Sequence, residues 1–574
     1  MENPKDKIYS ILQGIALQMV DLEVEFKVEI PKDLRHGDFS SNIAMVLSKT
    51  INNGLSHAVR NARRELAKPS GKSSAVDFSF KLGSSLELAK EIVSQLGSSN
   101  SEFDKIEVVA PGFINFYLSK DYLASQIQRI IEEGDSYGTS NLGKGKKASV
   151  EFVSANPTGP LHIGNARGGP LGDTIANVLQ KAGFAVTREY LHNDVGGQVD
   201  RLGEAIYFQL HPDQKSDTYE VQYQGEYIKE LAVDVKEALA EDDGLSQEEF
   251  IEKAGKIAVK IMLEEILKDC KLMGIKFDKV TKESDLRHKI PEVLGKIKKS
   301  LKENQGALWF APASNAASPD EFLKDRETVV KKSNGQFTYF AADIAYHNEK
   351  MIQNDIVIDI LGANHSGHVP RLMAIVKALG FDPNNLKVIL YQWIRLKREE
   401  EIVKMSKRAG TFVTARQVLD EVGKDAFRFF LLMQNSSTHI DFDLDLAKKK
   451  ASDNPVFYVQ YAYTRICSIF KKAGNLNFQD ADPALLKTQE EINLIRHLIS
   501  FPSLVANVSQ NFTVNLLVNY ALEIASHFHK FYEANQVITD DKKLTYSRLA
   551  LLKATQITLK NTLDLLGVST PEKM

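Results

Sequence analysis

A strand, a tight turn, a helix and a second strand follow one another between residues 148 and 191, and this order restricts the fold more than any other stretch. Ala148–Val153 is a short, mostly apolar run with β-branched residues, which predicts a buried strand. The apolar face of the following helix is formed, at spacings of three and four, by Leu171, Ile175, Val178, Leu179 and Ala182. Gly183 ends that helix, and Ala185–Leu191 predicts the second strand. The order is typical of half of a Rossmann-like α/β unit with a parallel sheet.

The turn inside this unit is suited to bind phosphate. Pro157 fixes its backbone, while Gly159 and Gly164 remove side chains where a flat base or a phosphate could approach. His162 and Asn165 stand where the helix begins. A helix start offers unpaired N–H groups and the positive end of the helix dipole, so a phosphate is the expected ligand there.

Two short motifs, far apart in the chain, together indicate one class of enzyme. His162–Asn165 (His-Ile-Gly-Asn) resembles the "HIGH" signature of class I aminoacyl-tRNA synthetases, with Asn in the fourth place. Lys404–Arg408 (Lys-Met-Ser-Lys-Arg) matches the second signature of that class, "KMSKS/R". Either motif alone is as readily explained by a helix cap or by a solvated group of charges. Both together, in this order, favour the class.

Longer segments resemble the arginyl-tRNA synthetases within that class, and the resemblance covers nearly the whole chain. They are Val150–Asn165, His192–Gln198, Thr338–His347 and the helical C-terminal part. The resemblance implies ATP-dependent activation of L-arginine to arginyl-adenylate. The arginyl group is then transferred to the terminal adenosine of tRNA(Arg), giving AMP and pyrophosphate. Mg²⁺ is expected to accompany ATP, with no dedicated metal site in the protein.

The resemblance implies roles for residues of both signatures. His162 is expected to donate to the α-phosphate or the bridging oxygen, and Asn165 to assist as an uncharged donor. Lys407 is the expected catalytic lysine of a mobile loop, and Lys404 a supporting charge. The predicted catalytic residues are therefore His162, Asn165, Lys404 and Lys407. ATP binding is assigned to Pro157, Gly159, His162, Gly164, Asn165, Gly362, Asn364, His365, Met405, Ser406 and Lys407.

The Gly-rich turn that begins at Gly362 follows a predicted core strand, Asp355–Leu361. Ligands bind beyond the carboxyl ends of strands in open α/β sheets, so this turn suits the ribose and adenine of ATP. The resembling family usually has Asp where Asn364 stands. His365 and His368 could instead be metal ligands, but no third ligand lies near them in the sequence, and no metal site is predicted.

A pocket for arginine needs a fixed carboxylate, because the guanidinium stays charged and prefers bidentate acceptors. The resemblance assigns Tyr339 and Asp343 to this contact, after a predicted hairpin over residues 328–340. From the residues alone, Asp343 could simply occupy the first turn of a helix, and Asp194 could cap one. The residues assigned to L-arginine are Glu151, Ser154, Asn156, Asp194, Gln198, Glu283, Tyr339 and Asp343.

At 574 residues the chain is too long for one hydrophobic core, and we predict three domains. Residues 1–118 are expected to form a small α+β module that binds the body of the tRNA. Residues 119–445 are the predicted catalytic domain, with a mostly helical insertion at about 210–325 and a further strand at Leu390–Leu396. Residues 446–574 are the predicted all-helical anticodon-binding domain.

The terminal domains are expected to contact tRNA, although the net charge of −3 gives no sign of it. Aromatic residues on helices usually belong to the core, but beside Lys, Arg or Gln they can stack on unpaired bases. The predicted tRNA-binding residues are Arg35, Asn115, Tyr461, Arg465, Tyr532 and Met574.

Composition limits the class of protein further. Hydrophobic residues make up 43% and charged residues 26%, as in ordinary globular proteins. Two cysteines cannot form a disulfide framework, and no apolar run approaches the ~20 residues of a membrane span. We expect a cytoplasmic monomer without a membrane anchor. Gly138–Lys144 resembles a phosphate loop, but it precedes its strand and lacks the Ser or Thr, so a linker is predicted.

Two other functions are compatible with parts of the sequence. Small adenylyltransferases share a HIGH-like turn, but they lack the N-terminal module and the helical C-terminal third. A non-catalytic RNA-binding relative would be expected to lose His162 or Lys407, and both residues are present.

Overall fold

The computed structural model forms two compact units, and the C-terminal helices contribute residues to both. The smaller unit consists of residues 1–137, 468–503 and 526–558, and the larger of residues 138–467, 504–525 and 559–574. The structure describes residues 4–20, 23–29, 31, 33–51, 84–96, 101–215, 220–242, 244–311, 327–399, 401–403, 413–474 and 480–574. The division into three domains stays a prediction.

The N-terminal part of the smaller unit is an antiparallel sheet with helices, as the sequence predicted. Its strands are β1 (Val28–Glu29), β2 (Phe39–Ser41), β3 (Phe103–Val109) and β4 (Phe113–Leu118), in the order β1-β2-β4-β3. Its helices are α1 (Pro4–Val20), α2 (residues 43–51), α3 (Ser85–Leu96) and α4 (Lys120–Glu133). Asp38, just before β2, accepts a hydrogen bond from the backbone N–H of Leu118 at the end of β4, at 2.7 Å.

The larger unit contains the predicted Rossmann-like sheet. In chain order its first elements are β5 (Lys147–Glu151), α5 (Ile163–Ala166), α6 (Gly168–Lys181), β6 (Ala185–His192), α7 (Gly197–Leu210), α8 (Glu226–Ala238), α9 (Gln247–Leu272), β7 (Lys279–Lys282), α10 (Glu283–Leu286) and α11 (Ile290–Lys296). These are followed by β8 (Leu301–Asn304), β9 (Ala307–Phe310), β10 (Thr328–Lys331), α12 (Tyr339–Gln353), β11 (Ile356–Gly362), α13 (Val369–Ala378) and β12 (Leu386–Tyr391). The strands β12-β11-β5-β6-β7 form one five-stranded sheet in which every pairing is parallel.

The strand order reverses between β5 and β11. From β5 the chain proceeds outward to β6 and β7, and it then returns to add β11 and β12 on the other side. Such a reversal opens a crevice at the carboxyl ends of the two strands, and ligands of open α/β sheets bind in that crevice. The predicted phosphate-binding turn follows β5, and the predicted ATP turn at Gly362 follows β11.

Three sequence predictions about strands need correction. The predicted hairpin over residues 328–340 is reduced to one bridging pair, Lys331 with Phe337. Its second strand does not form because α12 already begins at Tyr339. The first strand, β10, pairs with β9 instead. The predicted strand Leu390–Leu396 is two strands of different sheets, divided at Gln392. The predicted insertion at about 210–325 contains β7, which belongs to the main sheet.

The division at Gln392 has a non-local cause. The backbone carbonyl of Gln392 accepts a hydrogen bond from buried Arg167, and its N–H donates to the carbonyl of Ser436. These bonds turn the chain out of the main sheet and into a small sheet of order β14-β13-β15. The remaining elements of this part are β13 (Ile394–Arg398), β14 (Glu401–Ile402), α14 (Ala415–Leu432), β15 (Ile440–Asp443) and α15 (Leu444–Lys448).

The C-terminal part is helical, as predicted. Its helices are α16 (Pro455–Ala473), α17 (Gln489–Ile499), α18 (Phe501–Asn511), α19 (Asn515–Ala534) and α20 (Lys542–Leu566). Within the larger unit, buried Arg428 of α14 donates to the carbonyl of Leu566 and to the carboxylate of Asp173 on α6, both at 2.7 Å. None of the described helices is long and apolar enough to cross a membrane.

Candidate active site

His162 caps the short helix α5, and this contact defines which ring nitrogen carries the proton. The Nδ1 atom of His162 accepts a hydrogen bond from the backbone N–H of Gly164 at 2.9 Å. A nitrogen that accepts has no proton, so a neutral ring is protonated on Nε2. The predicted role of His162 as a donor to phosphate needs this tautomer.

Residues that follow the second signature in the chain, Val413–Ala415, pair with the first one. Lys404, Met405, Ser406 and Lys407 lie outside the described residues. The described chain resumes at Val413, whose carbonyl accepts from the N–H of Ile163 at 3.2 Å. The N–H of Ala415 donates to the carbonyl of Leu161 at 2.7 Å. His162 and Thr414 form an antiparallel bridge between these bonds. The chain from Val413 to Ala415 therefore lies alongside the first signature.

The turn after β5 is held in an uncommon conformation. Val153 has φ 68° and Ser154 has φ 36°, a region that β-branched residues in particular avoid. The hydroxyl of Ser154 accepts from the N–H of Leu191 at 3.1 Å, and Tyr190 donates to the carbonyl of Ala155 at 2.8 Å. Strain of this kind costs about 1–3 kcal/mol per residue and is found mainly where function requires it.

The rest of the turn contacts neighbouring elements through small or polar groups. Asn156 accepts from the side chain of Asn193 at 2.8 Å. Pro157 lies in the same turn, and Gly159 faces the ring of Tyr227 so closely that a Cβ would lie 3.3 Å from it. A side chain at residue 159 would therefore displace Tyr227.

Across the crevice, the chain after β11 forms a 3-10 turn, Ala363–His368, which begins next to Gly362. Asn364 and His365 are exposed there. The ring of His365 is 5.8 Å from that of His368, which is 6.1 Å from the ring of Tyr339. Residues assigned to ATP and to arginine thus lie in one continuous region. In the part of the chain that the structure describes, no three His, Cys, Asp or Glu side chains converge to hold a metal ion.

Three carboxylates lie in a row across the sheet, next to the crevice. Asp359 of β11 is aligned with Glu151 of β5, and Glu151 with Glu189 of β6. Aligned residues of neighbouring parallel strands point to the same face and are about 4.8 Å apart. Each of the three side chains is buried. We call Asp359, Glu151 and Glu189 the acid row.

Helix α12 covers the acid row and supplies its partners. The ammonium of Lys350, which is fully buried, lies 2.7 Å from Glu151 and 2.6 Å from Asp359. The Tyr346 hydroxyl donates to Glu189 at 2.9 Å, and His347 Nε2 is 2.9 Å from Asp359. Burial alone would lower the pKa of Lys350, but the two carboxylates outweigh it and raise the pKa.

Asp343 lies on the same face of α12, one turn before His347, and its carboxylate has no hydrogen-bonded or ion-paired partner among the described residues. Burial is the main cause that raises its pKa to about 7; Glu151 and Glu283 contribute to the rise, and His347 and Lys350 oppose it. Tyr339, four residues earlier, is 59% exposed at the start of α12. A cationic ligand here would meet an unpaired carboxylate with two more acids nearby.

The other residues assigned to arginine are joined through α10. Asp194 accepts from the backbone N–H of Ser284 at 2.9 Å and from its hydroxyl at 2.6 Å, so it fixes α10 and does not cap α7. Glu283, the first residue of α10, is buried and lies 3.6 Å from Arg287. Gln198 donates to the carbonyl of Asn193 at 3.4 Å.

The residues assigned to tRNA differ in accessibility. Asn115 corrects the prediction: it is 2% exposed, and its side chain accepts from Ser40 at 2.6 Å in the interior of the small sheet, where it cannot contact RNA. Arg35 is exposed but forms a bidentate pair with Asp33. Tyr461 and Met574 are exposed, while Arg465 and Tyr532 are half-buried.

Sequence reasoning missed Lys350 and Asp359, as well as Arg167. A lone Asp in the apolar strand Ile356–Gly362 was a signal that a buried cation must lie nearby. The sequence of α12 does not identify Lys350 as that cation. Arg167 donates to the carbonyls of Gln392, Thr438 and Asn435 at 2.8–2.9 Å, and so fixes the first signature on the small sheet.

The comparisons with known proteins agree with this geometry. The model of the class I (R) tRNA synthetase catalytic domain matches residues 126–443. A methionyl-tRNA synthetase from Mycobacterium tuberculosis has the same fold, with a TM-score of 0.51 and 11% identity over 72% of this chain and 91% of that one. The fold and the two signatures thus define a class I aminoacyl-tRNA synthetase.

More specific matches extend over the whole chain. The arginyl-tRNA synthetase N-terminal domain model matches residues 3–118, and the DALR anticodon-binding domain model matches residues 459–574. An arginine–tRNA ligase of Staphylococcus aureus (strain bovine RF122 / ET3-1) is 38% identical over 98% of this chain and 96% of its own. The arginyl-tRNA synthetase structure of Thermus thermophilus has a TM-score of 0.75 and 21% identity, with full coverage of both chains. The chain belongs to the arginyl-tRNA synthetase family.

Proposed function

We propose that the crevice between β5 and β11 forms arginyl-adenylate from L-arginine and ATP and then transfers the arginyl group to tRNA(Arg). Family membership gives the overall reaction, the ATP-dependent joining of arginine to its tRNA. The observation that carries the assignment of the crevice is the backbone pairing of Leu161–Ile163 with Val413–Ala415. This pairing holds the chain that follows the second signature, from Val413 on, against the first signature.

Recognition of arginine is assigned to the acidic end of the crevice. Asp343 accepts the guanidinium, because a permanently charged fork needs a fixed carboxylate, and Glu283 and Glu151 add negative charge. Tyr339 covers the guanidinium from its exposed position at the start of α12. The α-amino and carboxylate ends are assigned to Ser154, Asn156 and Gln198, with Asp194 acting through α10.

Catalysis of adenylate formation consists of positioning and charge stabilisation. The substrate carboxylate is itself the nucleophile that attacks the α-phosphate of ATP, so the protein has to align the two and stabilise the developing charge. Nε2–H of His162 donates to the phosphate, and Asn165 assists as a neutral donor. Lys407 stabilises the negative charge that develops on the leaving pyrophosphate, and Lys404 supports it.

ATP lies across both turns of the crevice. Its phosphates are assigned to Pro157, Gly159, Gly164 and the second signature with Met405 and Ser406, and its adenosine to Gly362, Asn364 and His365. Mg²⁺ is expected to enter with the triphosphate, since it is usually bound through substrate phosphates.

Binding of tRNA is assigned to Arg35, Tyr461, Arg465, Tyr532 and Met574, and the accessible positions of Tyr461 and Met574 support this. We propose that the protein acts as a monomer. The cytoplasm is the proposed compartment, because tRNA is the substrate.

Arginine-dependent exchange of pyrophosphate into ATP tests the function directly, with each amino acid assayed with and without total tRNA. Exchange with arginine alone among the amino acids supports the proposal. Exchange with lysine or glutamate in its place would overturn the amino-acid assignment and leave the class intact. Lys407→Ala should lower kcat far more than it raises the KM for ATP.

A further inference from the structure

We propose that Lys350 is a positioning residue for arginine: its ammonium holds Glu151 and Asp359 together, and thereby fixes where α12 presents Asp343. The proposal rests on the proposed function, which assigns Glu151 and Asp343 to the arginine pocket. Lys350 itself is fully buried beneath that pocket and is not expected to touch the substrate.

The first argument is the geometry of α12. Asp343, His347 and Lys350 follow one another at spacings of four and three and therefore share one face of the helix. The second half of that face is fixed to two strands, since Lys350 reaches Glu151 of β5 and Asp359 of β11. A helix is rigid over two turns, so these bonds determine the position of Asp343 in the first half.

The second argument is the orientation of Glu151. Its carboxylate is one member of a row of three buried carboxylates that would otherwise repel one another. The 2.7 Å contact with Lys350 engages Oε2 of Glu151 and fixes the orientation of the carboxylate in the interior. Only a carboxylate held in this orientation can direct its negative charge toward the arginine pocket.

Other charged or titratable groups near Lys350 belong to several elements. They are Glu189 of β6, Lys279 of β7, Glu283 of α10, and Asp343, Tyr346 and His347 of α12. Removal of the ammonium would leave Glu151 and Asp359 close together without their shared cation. Asp359, whose pKa Lys350 and His347 lower, would then take up a proton more readily, because two buried carboxylates side by side repel each other.

Arginine binding should therefore become more difficult and more dependent on pH in Lys350→Met. We expect the KM for arginine in pyrophosphate exchange to rise about tenfold or more at pH 7.5, while the KM for ATP changes less than about threefold. Below neutrality, the slope of log KM against pH should change from the value for release of one proton on binding toward the value for release of two. If Lys350 had only a structural role, its replacement would lower the melting temperature and leave that slope unchanged.

Three matched variants complete the test. Lys289→Met removes another lysine bonded to α12, through Glu349 at 2.6 Å, but outside the acid row, and should keep the wild-type KM for arginine. Lys350→Met/Asp359→Asn removes one charge of each sign and should return the slope toward one proton. In Lys350→Ala, added propylammonium replaces the missing atoms and should lower the KM for arginine, whereas equal sodium chloride should not.

The outcomes separate this proposal from the proposed function. A wild-type enzyme without arginine-dependent exchange would refute the function, whatever Lys350 does. A Lys350→Met enzyme with the wild-type KM and slope would overturn the positioning role, and so would an equal loss of arginine and ATP binding. If Lys350→Met does not fold, the double variant and the propylammonium rescue decide in the same way.

Discussion

The backbone N–H of Gly164 donates to Nδ1 of His162 at 2.9 Å, so the first signature holds its own histidine in a single tautomer. The bond has two consequences. It satisfies one of the unpaired N–H groups at the start of α5, and it directs the protonated Nε2 away from the helix. Structure and chemistry of the turn thus depend on the same side chain.

Replacement of His162 should separate the two consequences. In His162→Asn the side-chain oxygen can still accept from the N–H of Gly164, but the amide no longer extends as far toward the phosphate. We expect kcat for pyrophosphate exchange to fall about 10²–10³-fold with little change in melting temperature. His162→Ala loses the cap as well, and its melting temperature should also fall. Near wild-type kcat in His162→Asn would remove the donor role.

The KM for arginine should depend on pH through Asp343. Its pKa is about 7 in the empty site, and the guanidinium needs the ionised form, so binding must release a proton whenever Asp343 is protonated. Below pH 7 the KM should rise about tenfold per pH unit, and above pH 7 it should level off. Pyrophosphate exchange between pH 5.5 and 8.5 measures this. Asp343→Asn should have a KM that is higher by orders of magnitude and nearly independent of pH.

The same carboxylate should reduce the stability of the empty enzyme at high pH. A pKa raised from 3.8 in the unfolded chain to about 7 in the folded one means that the folded state binds the proton more tightly. Stability from this group is present below pH 4 and is lost as the pH rises through 7. Without arginine, Asp343→Asn should therefore melt at a higher temperature than wild type at pH 8, with a smaller difference at pH 5. Equal melting temperatures at both values would contradict the raised pKa of Asp343.

Local signals explain why much of the fold could be predicted from the sequence. The unit from β5 to β6 was predicted correctly because its apolar spacings, Gly183 and the turn residues all act over a few positions. By contrast, the division at Gln392 depends on Arg167, which is distant in the sequence, and no local pattern reveals it. Asn115 was misassigned for a related reason, because an Asn within a strand can face either solvent or the core.

The residues of the candidate site fall into the same two groups, those with a local sequence signal and those that depend on contacts between distant residues. His162, Tyr339 and Asp343 could be proposed as site residues from the sequence, because the family resemblance is carried by short segments that contain them. The partners that hold them could not, because Lys350 meets Glu151 only after β5, β11 and α12 have packed. Buried ion pairs of this kind join residues from separate elements, and the spacing within any one element carries no information about them.

The pairing of Leu161–Ile163 with Val413–Ala415 can be tested by removing one of its backbone hydrogen bonds. Ala415 is the first residue of α14, where proline is tolerated, and Thr414 before it has φ −79° and ψ 157°, which a following proline accepts. Ala415→Pro therefore keeps the helix but loses the N–H that donates to Leu161 at 2.7 Å. If this pairing aligns Lys407 with His162, kcat for adenylate formation should fall about 10–100-fold.

A proline at the start of another helix is the matched control. Gln489 is the first residue of α17, and its capping residue Thr488 has the similar values φ −70° and ψ 154°. Gln489→Pro should keep wild-type kcat, and the melting temperature of both variants should be measured, because the added ring at Ala415 is buried. A folded Ala415→Pro enzyme with wild-type kcat would mean that the backbone pairing is not needed to align the loop.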